Sequence, residues 1–149
     1  MVVSASGASV ETRCPVCDKK NRVPAAASGI PRCGHCHAAL AWIVEADDAN
    51  FDLVAVKSSI PVLVDLWAPW CGPCRMVSPT VEQMATQFAG RLKVVKVNVD
   101  EAPATARRYE AMSIPTLLVL KGGKTVERIV GALPAVQLRT KVSAALEGL

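Results

Sequence analysis

Two cysteines separated by two residues, Cys71 and Cys74, are the side chains of this sequence with the clearest capacity for chemistry. An apolar segment, residues 62–67, precedes them and is typical of a buried strand. Apolar residues at helical spacing follow them: Val77, Val81, Met84, Ala85 and Phe88. Cys71 is therefore predicted at a helix N-terminus, where free backbone N–H groups and the helix dipole stabilise a thiolate. Cys74 would lie one turn along the same face, placed to resolve a mixed disulfide on Cys71.

A Cys-x-x-Cys pair alone has a second interpretation, as half of a metal site. Residues 70–74 read Trp-Cys-Gly-Pro-Cys and stand between a predicted strand and a predicted helix, which favours redox chemistry. Pro73 fits the first helical turn because the N–H groups there have no helical partner. The string resembles the active site of the thioredoxin family, whose two thiols exchange disulfides.

Four further cysteines lie in the first forty residues with the spacing Cys-x₂-Cys-x₁₅-Cys-x₂-Cys: Cys14, Cys17, Cys33 and Cys36. Two tight knuckles of this kind, facing each other, supply the four sulfurs of a tetrahedral zinc site. Gly34 allows one knuckle to turn tightly. The segment has little apolar content, so it needs a metal to fold. We therefore predict a zinc-binding ribbon over residues 1–40 that holds one structural Zn²⁺, with a redox-regulatory role as a further hypothesis.

The charges around these cysteines bear on a competing interpretation, nucleic-acid binding. Residues 1–40 carry five Lys/Arg and two Asp/Glu, a balance of +3. Four thiolates with one Zn²⁺ sum to −2, so the ribbon keeps only about +1, which makes nucleic acid an improbable partner. His35 and His37 are alternative ligands. With four cysteines available, we expect both histidines to be exposed loop residues.

Length and composition limit the class of protein. The chain has 149 residues, a net charge of +4 and 51% hydrophobic residues, which is typical of one globular domain with a small appendage. The first eleven residues do not resemble a signal peptide, and residues 1–10 are expected to be mobile. No apolar run approaches the roughly 20 residues needed to cross a bilayer. We therefore expect a cytoplasmic protein without a membrane partner, in which cysteine clusters serve metal or redox chemistry.

The remaining residues, 41–149, predict a second, larger domain, joined through a linker at residues 38–41. The predicted strands cover residues 42–45, 61–67, 92–99, 115–120 and 125–130; the predicted helices cover about 47–56, 71–90, 103–111 and the region from 134 onwards. Asp47 or Asp48 would cap the first helix, and Leu138, Val142, Leu146 and Leu149 would form the apolar stripe of the last. This order predicts an α/β fold with a mixed central sheet flanked by helices.

The resemblance to the thioredoxin family extends over residues 42–149 and implies the thioredoxin fold. Ile114-Pro115 stands where the family carries a cis-proline opposite the catalytic cysteines, Asp65 where it has a buried acid, and Gly131 where it has a groove glycine. The four-cysteine ribbon narrows the resemblance to bacterial members with an N-terminal zinc domain. Arg75 replaces the lysine common after the motif but keeps its charge.

Two further polar residues are candidates for catalysis. Asp65 interrupts a buried strand that ends beside the cysteines, so its pKa should be raised and it can hold a proton near neutral pH. A simple hydrogen-bonding role is the alternative. Lys96 has the strand parity of a neighbour of Asp65, so it would pair with the acid or extend to solvent. A substrate groove would be formed by Trp70, Gly72, Pro73, Ile114, Pro115, Gly131 and Ala132, while Trp67 would pack beneath the motif.

These features predict a thiol–disulfide oxidoreductase that reduces protein disulfides through Cys71 and Cys74, without a bound organic cofactor. The resemblance implies that thioredoxin reductase recharges it with electrons from NADPH. The Gly72-Pro73 pair resembles the reducing members of the family, since isomerases and oxidants usually carry His in place of Pro73. A holdase that binds proteins without turnover and a zinc-dependent nucleic-acid binder are the competing functions.

Overall fold

The fold is described from a computed structural model, which describes residues 9–27 and 29–149. Five strands form one sheet in the order β3-β5-β4-β6-β7. Their bounds are β3 Ile43–Ala46, β4 Val62–Trp67, β5 Lys93–Asn98, β6 Thr116–Lys121 and β7 Lys124–Val130. β3, β5 and β4 are parallel, whereas β6 is antiparallel to both β4 and β7. The predicted mixed sheet and thioredoxin fold are confirmed.

Alternating residues of the central strands pack on opposite faces of the sheet, which explains their near-continuous apolar sequences. On β4, Leu63 packs with helices on one face, while Val64 and Leu66 belong to the cluster on the other. Side chains two residues apart on a strand point to the same face. Asp65 therefore points to the face of Leu63, here called the first face, and Lys96 points to the same face as Val94. Lys93 has the opposite parity. The sheet thereby separates two lysine side chains that lie only three residues apart in sequence, Lys93 fully buried and Lys96 partly buried.

Three α-helices flank the sheet: α1 Gly72–Gln87, α2 Pro103–Arg108 and α3 Ala135–Glu147. Residues of α1 and α3 fill the first face, where Val81, Met84 and Val142 are fully buried. The predicted stripe of α3 is wrong at its end, because Leu149 lies beyond the helix and is half exposed. No helix in the described ranges is long and apolar enough to span a bilayer.

The helix predicted over residues 47–56 is only a single wide turn, Asp52–Val56. Asp47 Oδ1 accepts the N–H groups of Ala49 and Asn50 and so stabilises the turn before it. Asp48 has a different role: its carboxylate accepts the N–H groups of the first turn of α2 and the hydroxyl of Thr105. It thus fixes the start of α2, where backbone N–H groups lack helical partners.

The N-terminal segment, here called the ribbon (residues 9–40), contains two strands that the sequence did not predict. β1 Ser9–Arg13 pairs antiparallel with β2 Lys20–Pro24. Val10 and Val23 face each other in this hairpin and are buried. The predicted mobility is therefore wrong for residues 9 and 10, which belong to β1; residues 1–8 lie outside the described residues.

The ribbon packs against the second face of the sheet. Leu40 and Ala41, in the predicted linker, are buried, and Val10 and Val23 share a core cluster with Trp42. The indole Nε1 of Trp42 donates to the Pro24 carbonyl at 2.7 Å. These contacts attach the ribbon closely to the larger domain, although the domain boundary at residue 40 stays a prediction.

Lys93 makes a second attachment and was missed by the sequence analysis. Its side chain is 1% exposed, and its ammonium donates to the carbonyls of Ala25 in the ribbon and Val54 in the wide turn. Burial lowers the pKa of Lys93 to about 8. One basic residue at the start of a strand commonly extends to solvent, so nothing in the sequence distinguished this lysine from an exposed one.

Candidate active site and metal centre

Cys71 and Cys74 lie at the junction between β4 and α1. Cys71 is the N-cap residue of α1, with an extended backbone, and its sulfur accepts the N–H of Cys74 at 3.1 Å. The two cysteines form a disulfide, with their Cα atoms 5.3 Å apart. Both are buried against Ala68, Trp67 and Ile114. The position is the one predicted: a helix N-terminus that stabilises a thiolate when the pair is reduced.

The loop that leads into β6, the antiparallel neighbour of β4, lies beside the disulfide. The peptide bond between Ile114 and Pro115 is cis, and the Ile114 carbonyl oxygen lies 3.7 Å from Cys71 Sγ. Gly131 donates its N–H to the Pro115 carbonyl at 2.9 Å and has a φ of +92°, which favours glycine. A Cβ on Gly131 would meet no atom within 4 Å, so the space beside the cis-proline is open. The structure thus brings Cys71, Ile114, Pro115 and Gly131 together.

Trp70 forms an exposed part of this surface. Its side chain is 66% exposed, and Nε1 donates to Asp100 Oδ2 at 3.0 Å. Ala132, Gly72 and Pro73 are exposed as well. Asp100 was missed by the sequence analysis. The sequence did carry a signal for Asp100: it is a polar residue just after β5, at the same edge of the sheet as the end of β4 and the cysteines.

Asp65 is 1% exposed, and burial raises its pKa to about 6, against the opposing effect of the Lys96 ammonium. Its Oδ1 has no hydrogen-bond partner among the described residues, and the same holds for the indole Nε1 of Trp67. Both side chains line a cavity of about 80 Å³ together with Cys74. A cavity of this size with two unpaired polar atoms can hold water that links the Asp65 carboxyl to the Cys74 sulfur.

Lys96 lies opposite Asp65 in the register of β4 and β5, as its parity predicted. The direct ion pair between the two is nevertheless not formed. Lys96 Nζ donates to Ser78 Oγ at 2.9 Å and lies 3.6 Å from Glu82 Oε2, both on α1. Its side chain is 18% exposed, and Nζ lies over the Trp67 ring, 5.8 Å from the centroid. The lysine is therefore held by α1, a partner that neither interpretation of the sequence named.

The four ribbon cysteines converge on one point. Their sulfur atoms all lie within 4.8 Å of one another. The Cys14–Cys36 sulfurs are 3.5 Å apart and the Cys17–Cys33 sulfurs 3.6 Å apart. A tetrahedron with Zn–S bonds of about 2.3 Å has sulfur–sulfur edges of roughly 3.8 Å. The donor set and its spacing therefore fit one zinc ion, and all four ligands would be thiolates.

The two knuckles share one conformation, which arises from their local sequence. Cys14 Sγ and Cys33 Sγ each accept two backbone N–H groups from the residues that follow them. The hydrogen bond from the Cys36 N–H is the largest factor lowering the pKa of Cys33 to about 5. Asp18 and His37, each four residues after the first cysteine of its knuckle, have positive φ values of 64° and 66°. His37 is thus a turn residue, and neither histidine belongs to the sulfur cluster.

Asn21, in β2, binds the second knuckle and was also missed. Its Nδ2 donates to Cys33 Sγ at 3.5 Å, and its Oδ1 accepts the N–H of Gly34 at 3.0 Å. Such a contact orients a ligand without binding the metal itself.

Comparison with known proteins agrees with this geometry. The thioredoxin family model matches residues 42–144, so its match begins after the ribbon cysteines. A thioredoxin of Haemophilus influenzae is 50% identical over 96 residues, which cover 64% of this chain and 90% of the relative. Thioredoxin 1 of a Nostoc species is 52% identical over 100 residues, 67% of this chain and 90% of the relative. With the disulfide at the N-terminus of α1 and the cis-proline facing it, these matches show that the chain belongs to the thioredoxin family and is a protein-disulfide reductase.

Proposed function

We propose that Cys71 is the attacking thiolate of this reductase and Cys74 its resolving thiol. The observation that carries the proposal is the position of Cys71 as the N-cap of α1, beside the Ile114 carbonyl. The Cys71 thiolate attacks one sulfur of a substrate disulfide, which forms a mixed disulfide and releases the other sulfur as a thiolate that takes up a proton. Cys74 then attacks Cys71 Sγ, and the second substrate sulfur leaves. Two electrons pass to the substrate, and the protein keeps the Cys71–Cys74 disulfide.

Asp65 would take the proton that Cys74 loses before it attacks. The carboxyl and Cys74 line the same cavity, and the raised pKa lets the carboxyl exchange a proton near neutral pH. Lys96 would modulate this exchange through its charge. The proton returns to the leaving sulfur or to solvent, so Asp65 ends each cycle ionised as it began.

The substrate would bind as an extended segment along the surface formed by Trp70, Gly72, Pro73, Ile114, Pro115, Gly131 and Ala132. Main-chain pairing with the Ile114–Pro115 loop suits many sequences, because backbone hydrogen bonds are the same for each. We therefore propose disulfide-containing proteins as substrates, without a requirement for one particular sequence.

Thioredoxin reductase, supplied by NADPH, would return the Cys71–Cys74 disulfide to the dithiol. The relatives' membership of the thioredoxin family supports this partner. We further propose that the protein works in the cytoplasm, since thiols such as those of the ribbon stay reduced there.

The ribbon would hold one structural Zn²⁺ through Cys14, Cys17, Cys33 and Cys36. The metal would stabilise the loops between β1, β2 and the second knuckle, which have few apolar contacts of their own. We also propose that oxidation of these thiols releases the metal and alters the reductase rate. Metal analysis of the purified chain, before and after a chelator, tests the site: about one zinc per chain is expected, and none in a Cys14→Ser, Cys33→Ser variant.

Reduction of insulin, followed by turbidity in the presence of NADPH and thioredoxin reductase, tests the catalytic assignment. We expect Cys71→Ala to lose activity completely and Cys74→Ser to accumulate mixed disulfides with insulin chains, detectable on a non-reducing gel. The same assay excludes a holdase function if Cys71→Ser abolishes the effect on insulin. Activity retained by Cys71→Ala would refute the mechanism.

A further inference from the structure

Three side chains beside the active site form a ring of polar contacts, and the proposed mechanism gives a role to only one of them, Lys96. Lys96 Nζ donates to Ser78 Oγ at 2.9 Å, and Ser78 Oγ donates to Glu82 Oε2 at 3.0 Å. The Lys96–Glu82 ion pair, at 3.6 Å, closes the ring. Ser78 and Glu82 lie four residues apart on α1, so they present one face of the helix to β5. The ring thereby ties a strand lysine to the helix that carries the cysteines.

The ring decides which carboxylate the Lys96 ammonium contacts, because Asp65 on β4 and Glu45 on β3 both lie opposite Lys96 in the sheet. Asp65 and Lys96 are direct neighbours on parallel strands, which lie about 4.8 Å apart. Their side chains point to the same face, and Asp65 Oδ1 lacks a hydrogen-bond partner among the described residues. A lysine side chain is long enough to reach Asp65, Glu45 or Glu82, and its charge also lowers the pKa of Glu45. In this structure it reaches Glu82.

This choice matters for the charge on Asp65. An ammonium in direct contact with a buried carboxylate stabilises the ionised form strongly. When the ammonium is paired with Glu82, it still lowers the pKa of Asp65, but burial outweighs this effect and the Glu82 carboxylate opposes it further. The buried acid therefore keeps its capacity to bind a proton.

We propose that Glu82 and Ser78 are positioning residues that hold the Lys96 ammonium away from Asp65, so that this carboxyl can accept the Cys74 proton and give it up again near neutral pH. The inference rests on the proposed function in assigning that proton to Asp65. The placement of the ammonium is a separate claim and can be tested by itself.

The charged groups that face Asp65 are few. Lys96 approaches from β5, and Glu82 and Arg75 approach from α1. The guanidinium of Arg75 is engaged by the Pro69 carbonyl, to which it donates at 2.8 Å. The residue opposite Asp65 on β6 is Leu117, which carries no charge. Lys96 is therefore the cation whose position Glu82 can change.

The decisive measurement is the titration of Asp65 itself, followed through its side-chain carboxyl ¹³C shift in the disulfide form of the full chain. In this form Cys71 and Cys74 do not titrate, so the Asp65 midpoint is read without interference. For the Ser78→Ala, Glu82→Gln double variant we expect the midpoint to fall by about one pH unit as Lys96 moves to Asp65. Glu147→Gln, which removes one exposed carboxylate at the end of α3, is the matched control and should leave the midpoint unchanged.

A thermodynamic cycle with Lys96→Met separates positioning from simple charge removal. Lys96→Met should raise the Asp65 midpoint, because the cation is lost. Adding the Ser78 and Glu82 changes to Lys96→Met should then move the midpoint by less than half of their effect in the wild-type background. An equal shift in both backgrounds, or a shift no larger than that of Glu147→Gln, would overturn the proposal.

The pH–rate profile for insulin reduction distinguishes this inference from the assignment of Asp65. If both are right, the acidic limb of the profile moves to lower pH together with the carboxyl midpoint. If the midpoint moves and the profile stays, the positioning by Glu82 stands and the catalytic role of Asp65 fails. If neither moves, Glu82 and Ser78 do not control the ammonium.

Discussion

Lys93 Nζ lies 4.3 Å from the centroid of the Trp42 ring, inside the junction between the ribbon and the sheet. Each of the two side chains donates to a neighbouring ribbon carbonyl, Trp42 to Pro24 and Lys93 to Ala25. A cation over an indole face is stabilised by the ring quadrupole, most strongly when it is shielded from water. The pair therefore fastens the end of β2 to the core of the larger domain.

The first prediction concerns the pH dependence that Lys93 gives to stability. Its pKa falls from an ordinary 10.5 to about 8 in the folded protein, so between these values the unfolded chain binds more protons. The contribution of Lys93 to the free energy of unfolding therefore rises by up to about 3 kcal/mol as the pH increases from about 8 to 10.5. We expect the urea midpoint of the wild type to rise over this window relative to that of Lys93→Met, with both proteins saturated with zinc.

Other groups titrate in the same range, but they are common to both proteins and cancel in the difference. Lys124→Met, at the exposed first position of β7, provides the matched control. A difference between wild type and Lys93→Met that stays flat or falls with pH would show that the lysine is not buried as a cation.

The second prediction concerns Asp65→Asn. The pKa of Asp65 is raised from 3.8 to about 6 in the folded state, so the folded protein binds more protons between these values. The group's contribution to stability is thus present below pH 4 and is lost as pH rises through 6. At pH 7 Asp65 is a buried, ionised carboxylate, which lowers the free energy of unfolding by up to about 3 kcal/mol. Asp65→Asn should therefore be the more stable protein at pH 7, and its advantage should vanish near pH 4.

The same substitution should slow insulin reduction, most strongly near neutral pH, because Cys74 loses its proton acceptor. Urea unfolding and the pH–rate profile together check the prediction. An unchanged pH–rate profile would remove Asp65 from the mechanism, whatever its effect on stability.

The third prediction tests the contact between Trp70 and Asp100. Asp100→Ala removes the acceptor of the indole N–H and frees a large exposed side chain beside Cys71. The loss of an exposed hydrogen bond should raise KM for insulin by about threefold and leave kcat nearly unchanged. Asp100→Asn keeps an acceptor oxygen and should restore the wild-type KM. Equal KM values for all three proteins would mean that the indole orientation does not affect substrate binding.

The fourth prediction concerns oxidation of the ribbon. Peroxide should convert pairs of the four thiols to disulfides, with its own reduction to water, and release about one zinc per chain. The sulfur contacts favour Cys14 with Cys36 and Cys17 with Cys33, in addition to the pairs within each knuckle. Because the ribbon packs against Trp42, the loss should also change the tryptophan fluorescence and the reductase rate.

A metallochromic dye measures the zinc, and alkylation with mass spectrometry identifies the disulfides. A protein with Cys71 and Cys74 both changed to Ser isolates the ribbon cysteines for these two measurements, and the reductase rate is followed in the wild type. Zinc that stays bound until global unfolding, or leaves without a change in rate, would restrict the ribbon to a structural role.

The features that the sequence predicted correctly are those fixed over short distances along the chain. The two knuckles depend on a few consecutive residues, and the N-cap position of Cys71 depends on the strand before it and the helix after it. The apolar runs of β4, β5 and β6 reveal burial on both faces directly. The position of Asp65 opposite Lys96 could also be predicted, from the alternation of side chains along the two strands.

The hairpin of β1 and β2 was missed because its apolar content is small. Each strand places only one valine inward, Val10 or Val23, which is too little to signal a strand by periodicity. Both valines are buried largely because the face of the larger domain covers them. The strands are therefore a property of the assembled chain and not of the segment alone.

The sequence by itself determined the chemistry of this protein, because thiol spacing and helix position are local properties. The tertiary structure decided which partners the buried charges have. Lys93 and Lys96 are both strand lysines, yet one is enclosed among ribbon carbonyls and the other is held by Glu82 on α1. A charge inside a protein responds to every group within a few ångströms, and those groups come from segments far apart in the chain.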